Sequence, residues 1–143
     1  MERTLLGLAA AFSVAVVLFA ILSRPEEPRP NLKVPGEHPD GAWFQKEVMD
    51  SEIPVIVDFG ANWCGPCKIL APMVDRFEKE YKGKVKVVRI DIDEKPELST
   101  TLGVSSIPFL FVVKDGKAVK SMMGIPPGYG YEDLEAFVSP HLK

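Results

Sequence analysis

The five residues Val55–Phe59 constrain this chain most, being apolar apart from Asp58. A run that short and that continuous reads as a strand covered on both faces. Such a strand needs a layer of structure on each side, which points to an α/β architecture. The next two segments sharpen that assignment. Gly60–Pro66 is a loop, and a helix continues to about Tyr81, with Ile69, Leu70, Met73, Val74 and Phe77 on its apolar stripe. Pro72 lies inside that helix, where a kink is expected.

The remaining periodicities complete a pattern of α-β-α-β-α-β-β-α. Asp40 is placed to cap a first short helix whose spacing buries Trp43, Phe44, Val48 and Met49. Lys84–Ile92 alternates as a strand, with Val85, Val87 and Arg89 on one side and Lys86, Val88 and Ile90 on the other. A short helix around Pro96–Leu102 stops at Gly103. Phe109–Val113 and Lys117–Met122 flank Asp115-Gly116, a strong hairpin signal. Tyr131–His141 forms the last amphipathic helix, through Leu134, Phe137 and Val138. The helical crossovers predict parallel strands and the hairpin an antiparallel edge, hence a central mixed sheet flanked by helices.

Ahead of this pattern the composition changes. Residues 5–22 carry no charge, and as a helix they span about 27 Å, just enough for a bilayer core. The run exceeds a typical signal-peptide core. Bulky Leu18 and Ile21 spoil the cleavage sites after Ala20 and Ser23, so a retained anchor is favoured over a cleaved signal. Pro25, Pro28, Pro30, Pro35 and Pro39 make the following stretch a semi-rigid spacer. The expected organisation is a flank at 1–4, one transmembrane helix at 5–22, a proline-rich linker at 23–39 and one domain at 40–143. Arg24, Arg29 and Lys33 beyond the span would hold the domain inside by a literal positive-inside count. The counts are small, and an exported domain on a single-pass anchor is favoured. With 17 basic and 20 acidic residues the net charge is −3, which gives no footing for nucleic acid.

The chain has two cysteines, Cys64 and Cys67, in Trp63-Cys64-Gly65-Pro66-Cys67, where a strand-loop gives way to a helix. Pro66 suits a first helical turn. Cys64 then lies at the helix N-terminus, where unpaired N–H groups and the helix dipole favour a thiolate. A thiolate is the nucleophile of disulfide exchange. Cys67, one turn on and expected to be the less exposed, can resolve a mixed disulfide formed at Cys64. The rival readings are weaker. Zinc needs four ligands, and His38 and His141 lie at the ends of the domain. A purely structural disulfide at this spacing closes almost no chain. No metal and no bound cofactor is expected. Asp58 is costly to bury ionised, so its pKa should rise; from the residues alone it is either a proton-transfer group or a strand-end aspartate bonded to loop N–H groups.

The segment from Val57 to Lys68, Val-Asp-Phe-Gly-Ala-Asn-Trp-Cys-Gly-Pro-Cys-Lys, resembles the active-site segment of the thioredoxin family. The resemblance continues through Pro72, Asp91-Ile92-Asp93, Ile107-Pro108, Asp115-Gly116 and Gly124, and covers the chain from about Asp40 onward. It implies the thioredoxin fold and a thiol-disulfide oxidoreductase with Cys64 as nucleophile, Cys67 as resolving thiol and Asp58 as proton relay. Trp63, Gly65, Pro66, Ile107, Pro108 and Gly124 would bind substrate, with a cis Ile107–Pro108 bond beside the cysteines. The alternatives are a core role for Trp63 and an ordinary strand-start role for Pro108. Arg89 matches a family lysine near the aspartate, but reads as a strand residue reaching solvent. Gly60 stands where many members carry tryptophan, Phe109 where a small polar residue is usual, and Ile125–Gly130 lengthens a loop. All three are expected to flank the substrate groove and to narrow the client set.

Gly65-Pro66 is the dipeptide of the reducing members of that family, so the resemblance implies a reductant of protein disulfides. The implied partners are disulfide-bearing clients and a dithiol electron donor, membrane-embedded if the domain is exported and a flavin-dependent reductase if it is cytoplasmic. A monomer is expected. The competing functions are a specialised reductase of apocytochrome or metal-site cysteines, a disulfide isomerase, and a non-enzymatic docking module.

Overall fold

The computed structural model describes residues 32–142. The uncharged run at 5–22 and the first part of the spacer lie outside the described residues. Among those described, no helix is long and apolar enough to cross a membrane.

The elements follow the expected order. Helix α1 (Gly41–Phe44) continues into a π-helical turn (Gln45–Met49). Strand β1 (Val55–Gly60) leads to α2 (Gly65–Glu80), β2 (Lys86–Asp91), α3 (Pro96–Thr101), β3 (Phe109–Lys114), β4 (Lys117–Met123) and α4 (Tyr131–Val138), which ends in a 3₁₀ turn (Ser139–His141). The sheet order is β2-β1-β3-β4. The β1 side chains alternate between two cores. Val55, Val57 and Phe59 pack with Phe44, Val48, Val88, Ile90 and Leu98, while Ile56 packs with Leu70, Val74, Phe77, Leu134 and Val138. The sheet is therefore the middle of three layers, with α1 and α3 on one side and α2 and α4 on the other.

The strand directions need one correction. β1 and β2 are parallel, but β3 runs antiparallel to β1 as well as to β4. The crossover through α3 does not deliver a parallel strand. β2 leaves the sheet at Asp91, opposite Gly60, and β3 re-enters at Phe109, opposite Phe59. Six residues of helix rise only about 9 Å. That is less than half the ~20 Å length of a six-residue strand, so α3 alone does not carry the chain to the far end of the sheet. The hairpin forms as expected, with Asp115 at φ 51° and Gly116 at φ 67°, the left-handed pair a two-residue I′ turn requires.

Four side-chain expectations also change. Trp43 is exposed, and the Lys95 ammonium sits 4.8 Å from its ring centroid. Phe44 and Val48, four residues apart on one face, take the core positions instead. Asp40 makes no side-chain cap; its carboxylate pairs with Lys95. Ile69 lies off the buried stripe and is exposed, leaving Leu70, Val74 and Phe77 to anchor α2. Leu32, expected in the spacer, is 4 % exposed and belongs to the α1/α3 core, with Val34 packed against it.

Candidate active site

β1 ends at Gly60, and the chain turns through Ala61, whose carbonyl accepts the Cys64 N–H at 3.1 Å. Cys64 is the N-cap residue of α2. Its backbone is extended, and its Sγ accepts the Cys67 N–H at 3.2 Å. A cap acceptor normally satisfies one of the orphan donors of the first turn. Here that acceptor is sulfur, and a thiolate would accept more strongly than a thiol or a disulfide sulfur. Gly65 and Pro66 open the helix, and Pro66 has no N–H to leave unpaired. Cys64 and Cys67 are joined in a disulfide.

The relative exposure of the two cysteines is the reverse of expectation. Cys64 is 4 % exposed, whereas Cys67 is only half-buried. On the Cys67 side, Gly60 leaves room. A Cβ built there would stand 3.5 Å from Cys67 Sγ. With no side chain at that position, a recess of ≈ 240 Å³ opens beside Cys67, bounded also by Asp58, Asn62, Ala71 and Arg89.

Asp58 shares that recess and the face of β1 that packs on α2. Its side chain is 11 % exposed. Burial pushes its carboxyl up from 3.8 to about 6, against the Arg89 guanidinium, which lowers it, and with help from the Asp75 carboxylate. Parallel register sets Arg89 directly beside Asp58. The guanidinium is shared. Its Nε stands 3.9 Å from Asp58 Oδ2, while its Nη2 donates to Asp75 Oδ1 at 2.7 Å. Reading Arg89 as a strand residue reaching solvent misses this. The signal is register between two strands 31 residues apart, which no local pattern contains.

Trp63 is 67 % exposed, so it is not a core tryptophan. Its indole Nε1 donates to Asp93 Oδ2 at 2.8 Å, a contact that the Asp91-Ile92-Asp93 motif did not announce. The Ile107–Pro108 bond is cis, and the Pro108 carbonyl accepts the Gly124 N–H at 2.7 Å. Phe59, Phe109 and Met123 lie in register across three strands. Pro108 and Gly124 therefore lie one residue beyond, at the sheet end from which the cysteine loop springs. Exposed Met123 adds apolar surface there. Phe109 does not flank a groove: it is buried, its ring 4.5 Å from that of Phe111. In the lengthened loop, Ile125 and Tyr129 pack against the α2/α4 core.

A family model for thioredoxin matches residues 37–139. The chain is 46 % identical to thioredoxin 1 of Nostoc sp. over 84 residues, 59 % of this chain and 78 % of the relative. It is 48 % identical to a thioredoxin of Synechocystis sp. over 86 residues, 60 % of this chain and 80 % of that one. Over 102 residues it is 40 % identical to a chloroplastic M-type thioredoxin of Spinacia oleracea, covering 71 % and 56 % of the two chains.

Proposed function

The chain belongs to the thioredoxin family and is a thiol-disulfide oxidoreductase, and on that premise we propose that it reduces protein disulfides, with Cys64 attacking and Cys67 resolving. The observation that carries this reading is the sulfur of Cys64 serving as the N-cap acceptor of α2, one helical turn from its disulfide partner. In the reduced protein the Cys64 thiolate, stabilised by that N–H and the helix dipole, attacks one sulfur of a client disulfide. The client's other sulfur leaves as thiolate. Asp58, beside Cys67 in the recess, takes the Cys67 proton. The Cys67 thiolate then attacks Cys64 Sγ, closing the enzyme disulfide and releasing the second client thiolate. Two electrons pass to the client, and the enzyme ends oxidised. Exposed Trp63 and the backbone around cis-Pro108 are the client contacts, the latter by strand addition.

The test is reduction of insulin with dithiothreitol as electron source. Cys64→Ser should abolish turnover. Cys67→Ser should stop at a mixed disulfide on Cys64, which in intact cells would also identify the client. Failure of the wild-type protein to reduce insulin would sink the reading and favour a docking module.

The family supports disulfide-bearing clients and a reductase donor in general terms. We further propose that residues 5–22 anchor the chain as a single span, with the domain exported and supplied by a membrane-embedded dithiol donor. Eighteen uncharged residues followed by a proline-rich stretch support this. Release of the full chain from membranes by alkaline carbonate would remove the anchor. Resistance of the domain to external protease in intact cells would place it inside and favour a flavin-dependent reductase.

A further inference from the structure

A carboxylate that accepts the Cys67 proton must stay basic, and a guanidinium bonded to it would take that basicity away. Arg89 is near enough to do so. Parallel register sets it beside Asp58, yet its Nε stands 3.9 Å from Asp58 Oδ2, outside hydrogen-bond reach. The guanidinium is held elsewhere: its Nη2 donates to Asp75 Oδ1 at 2.7 Å, on the flank of α2. An arginine fork is planar and rigid, so one good bond at Nη2 fixes where Nε can go. The Asp75 side chain is 53 % exposed, so water and salt screen its direct field on Asp58. They do not screen the consequence of where Asp75 puts the guanidinium. Of the other groups facing Asp58, α2 brings Cys67, held in the disulfide, and Lys68; β2 brings Asp91, opposite in sign to Lys68. β3 sets apolar Leu110 opposite Asp58, and α4 adds apolar Leu134 and Val138 to that core. The charges that act on the Asp58 carboxyl are those of Arg89, which weakens its hold on a proton, and Asp75, which strengthens it.

We propose that Asp75 is a positioning residue for the proton transfer: it holds the Arg89 guanidinium on the flank of α2 and so leaves the Asp58 carboxylate free to take the Cys67 proton. This rests on the reading of Asp58 as that acceptor and adds the device that keeps it basic. In the transfer the proton moves from the Cys67 thiol to the Asp58 carboxylate, leaving a thiolate and a neutral acid. A guanidinium already bonded to the carboxylate would have to let go first, which makes the carboxylate a poorer base. Without the Asp75 carboxylate, the Arg89 fork turns to Asp58 and pairs with it.

The experiment follows the Asp58 carboxyl of the oxidised full chain by carbon-13 NMR as the pH is raised. Asp75→Asn should lower the titration midpoint by at least about 0.5 pH unit, and Asp75→Glu, which keeps the charge, should restore most of that shift. Arg89→Gln should move the midpoint the other way, upward. In the Arg89→Gln background, Asp75→Asn should shift it by less than about 0.2 pH unit, because Asp75 acts through the guanidinium. A midpoint that Asp75→Asn leaves in place or raises overturns the proposal. So does a shift that is equally large without Arg89, which would make Asp75 a direct electrostatic neighbour of Asp58. Both substituted side chains are about half exposed, so the fold is expected to tolerate the changes. Insulin reduction by the same preparations separates the two readings: turnover by the wild-type chain with an unmoved midpoint sinks this inference alone, and the expected midpoints without wild-type turnover sink the client-reductase reading alone.

Discussion

Asp58 is the residue whose environment makes the sharpest demands. Unfolded, its carboxyl titrates near 3.8; folded, near 6 because burial disfavours the charge. Below the lower value both states hold the proton and the residue costs nothing. Between the two the folded state binds more protons, so stability falls as pH rises, and above about 6 the full cost applies. At 1.36 kcal/mol per unit, that cost is about 3 kcal/mol. Asp58→Asn should therefore stabilise the oxidised protein at pH 8 by up to about 3 kcal/mol and bring no gain at pH 4, read by urea unfolding at each pH. The same variant should slow insulin reduction at pH 7 at least about tenfold, since the proposed proton acceptor for Cys67 is lost. A gain in stability that is equal at both pH values would mean the penalty is not one of ionisation. Trp63 makes a second demand. An exposed indole needs something to hold it, and Asp93 supplies the acceptor. Asp93→Ala should raise KM for a protein client several-fold with kcat and Tm nearly unchanged; a fall in kcat alone would assign Asp93 to the chemistry. The proximity of Asp58 to the cysteine pair was legible because Cys64, Cys67 and Asp58 lie within ten positions of one another. Arg89, Asp75 and Asp93 were not, because their roles depend on strand register and on a loop 30 residues away.

At the scale of elements, local pattern worked where the element itself carried the information. β1, α2 and the hairpin match expectation closely, since a continuous apolar run, a 3.6-residue stripe and Asp-Gly each have one cheap solution. It failed where a neighbour decides. The direction of β3 depends on how far α3 can carry the chain, and the exposure of Ile69 and Trp43 depends on what packs opposite. The hairpin gives a direct test. Gly116 has φ 67°, and a Cβ there would stand 3.3 Å from the Met49 carbonyl oxygen. Gly116→Ala should cost about 1–2 kcal/mol from left-handed strain alone, and more if the π-helical turn cannot yield. The measurement is chemical denaturation, and a neutral result would mean the turn readily adopts another form.

For the whole molecule, the open question is where the packed unit begins. Proline content alone assigns residues up to 39 to a spacer, because prolines block helix and ladder. Proline does not prevent a neighbouring apolar side chain from packing, however, and Leu32 is buried among Phe44, Val48 and the outer face of β1. Of the spacer expected at 23–39, Leu32 and Val34 therefore belong to the packed unit. The chain enters the domain on the α1/α3 face, opposite the side on which Asp58 packs toward α2. Leu32→Ala decides whether this contact matters energetically. A buried leucine should cost about 2–5 kcal/mol on truncation. Exposed Glu37, five residues on, should change stability by no more than about 0.5 kcal/mol on substitution by alanine. Urea unfolding of both variants of the full chain gives the comparison. If Leu32→Ala costs no more than Glu37→Ala, the residue is a passenger of the spacer and the packed unit begins after it.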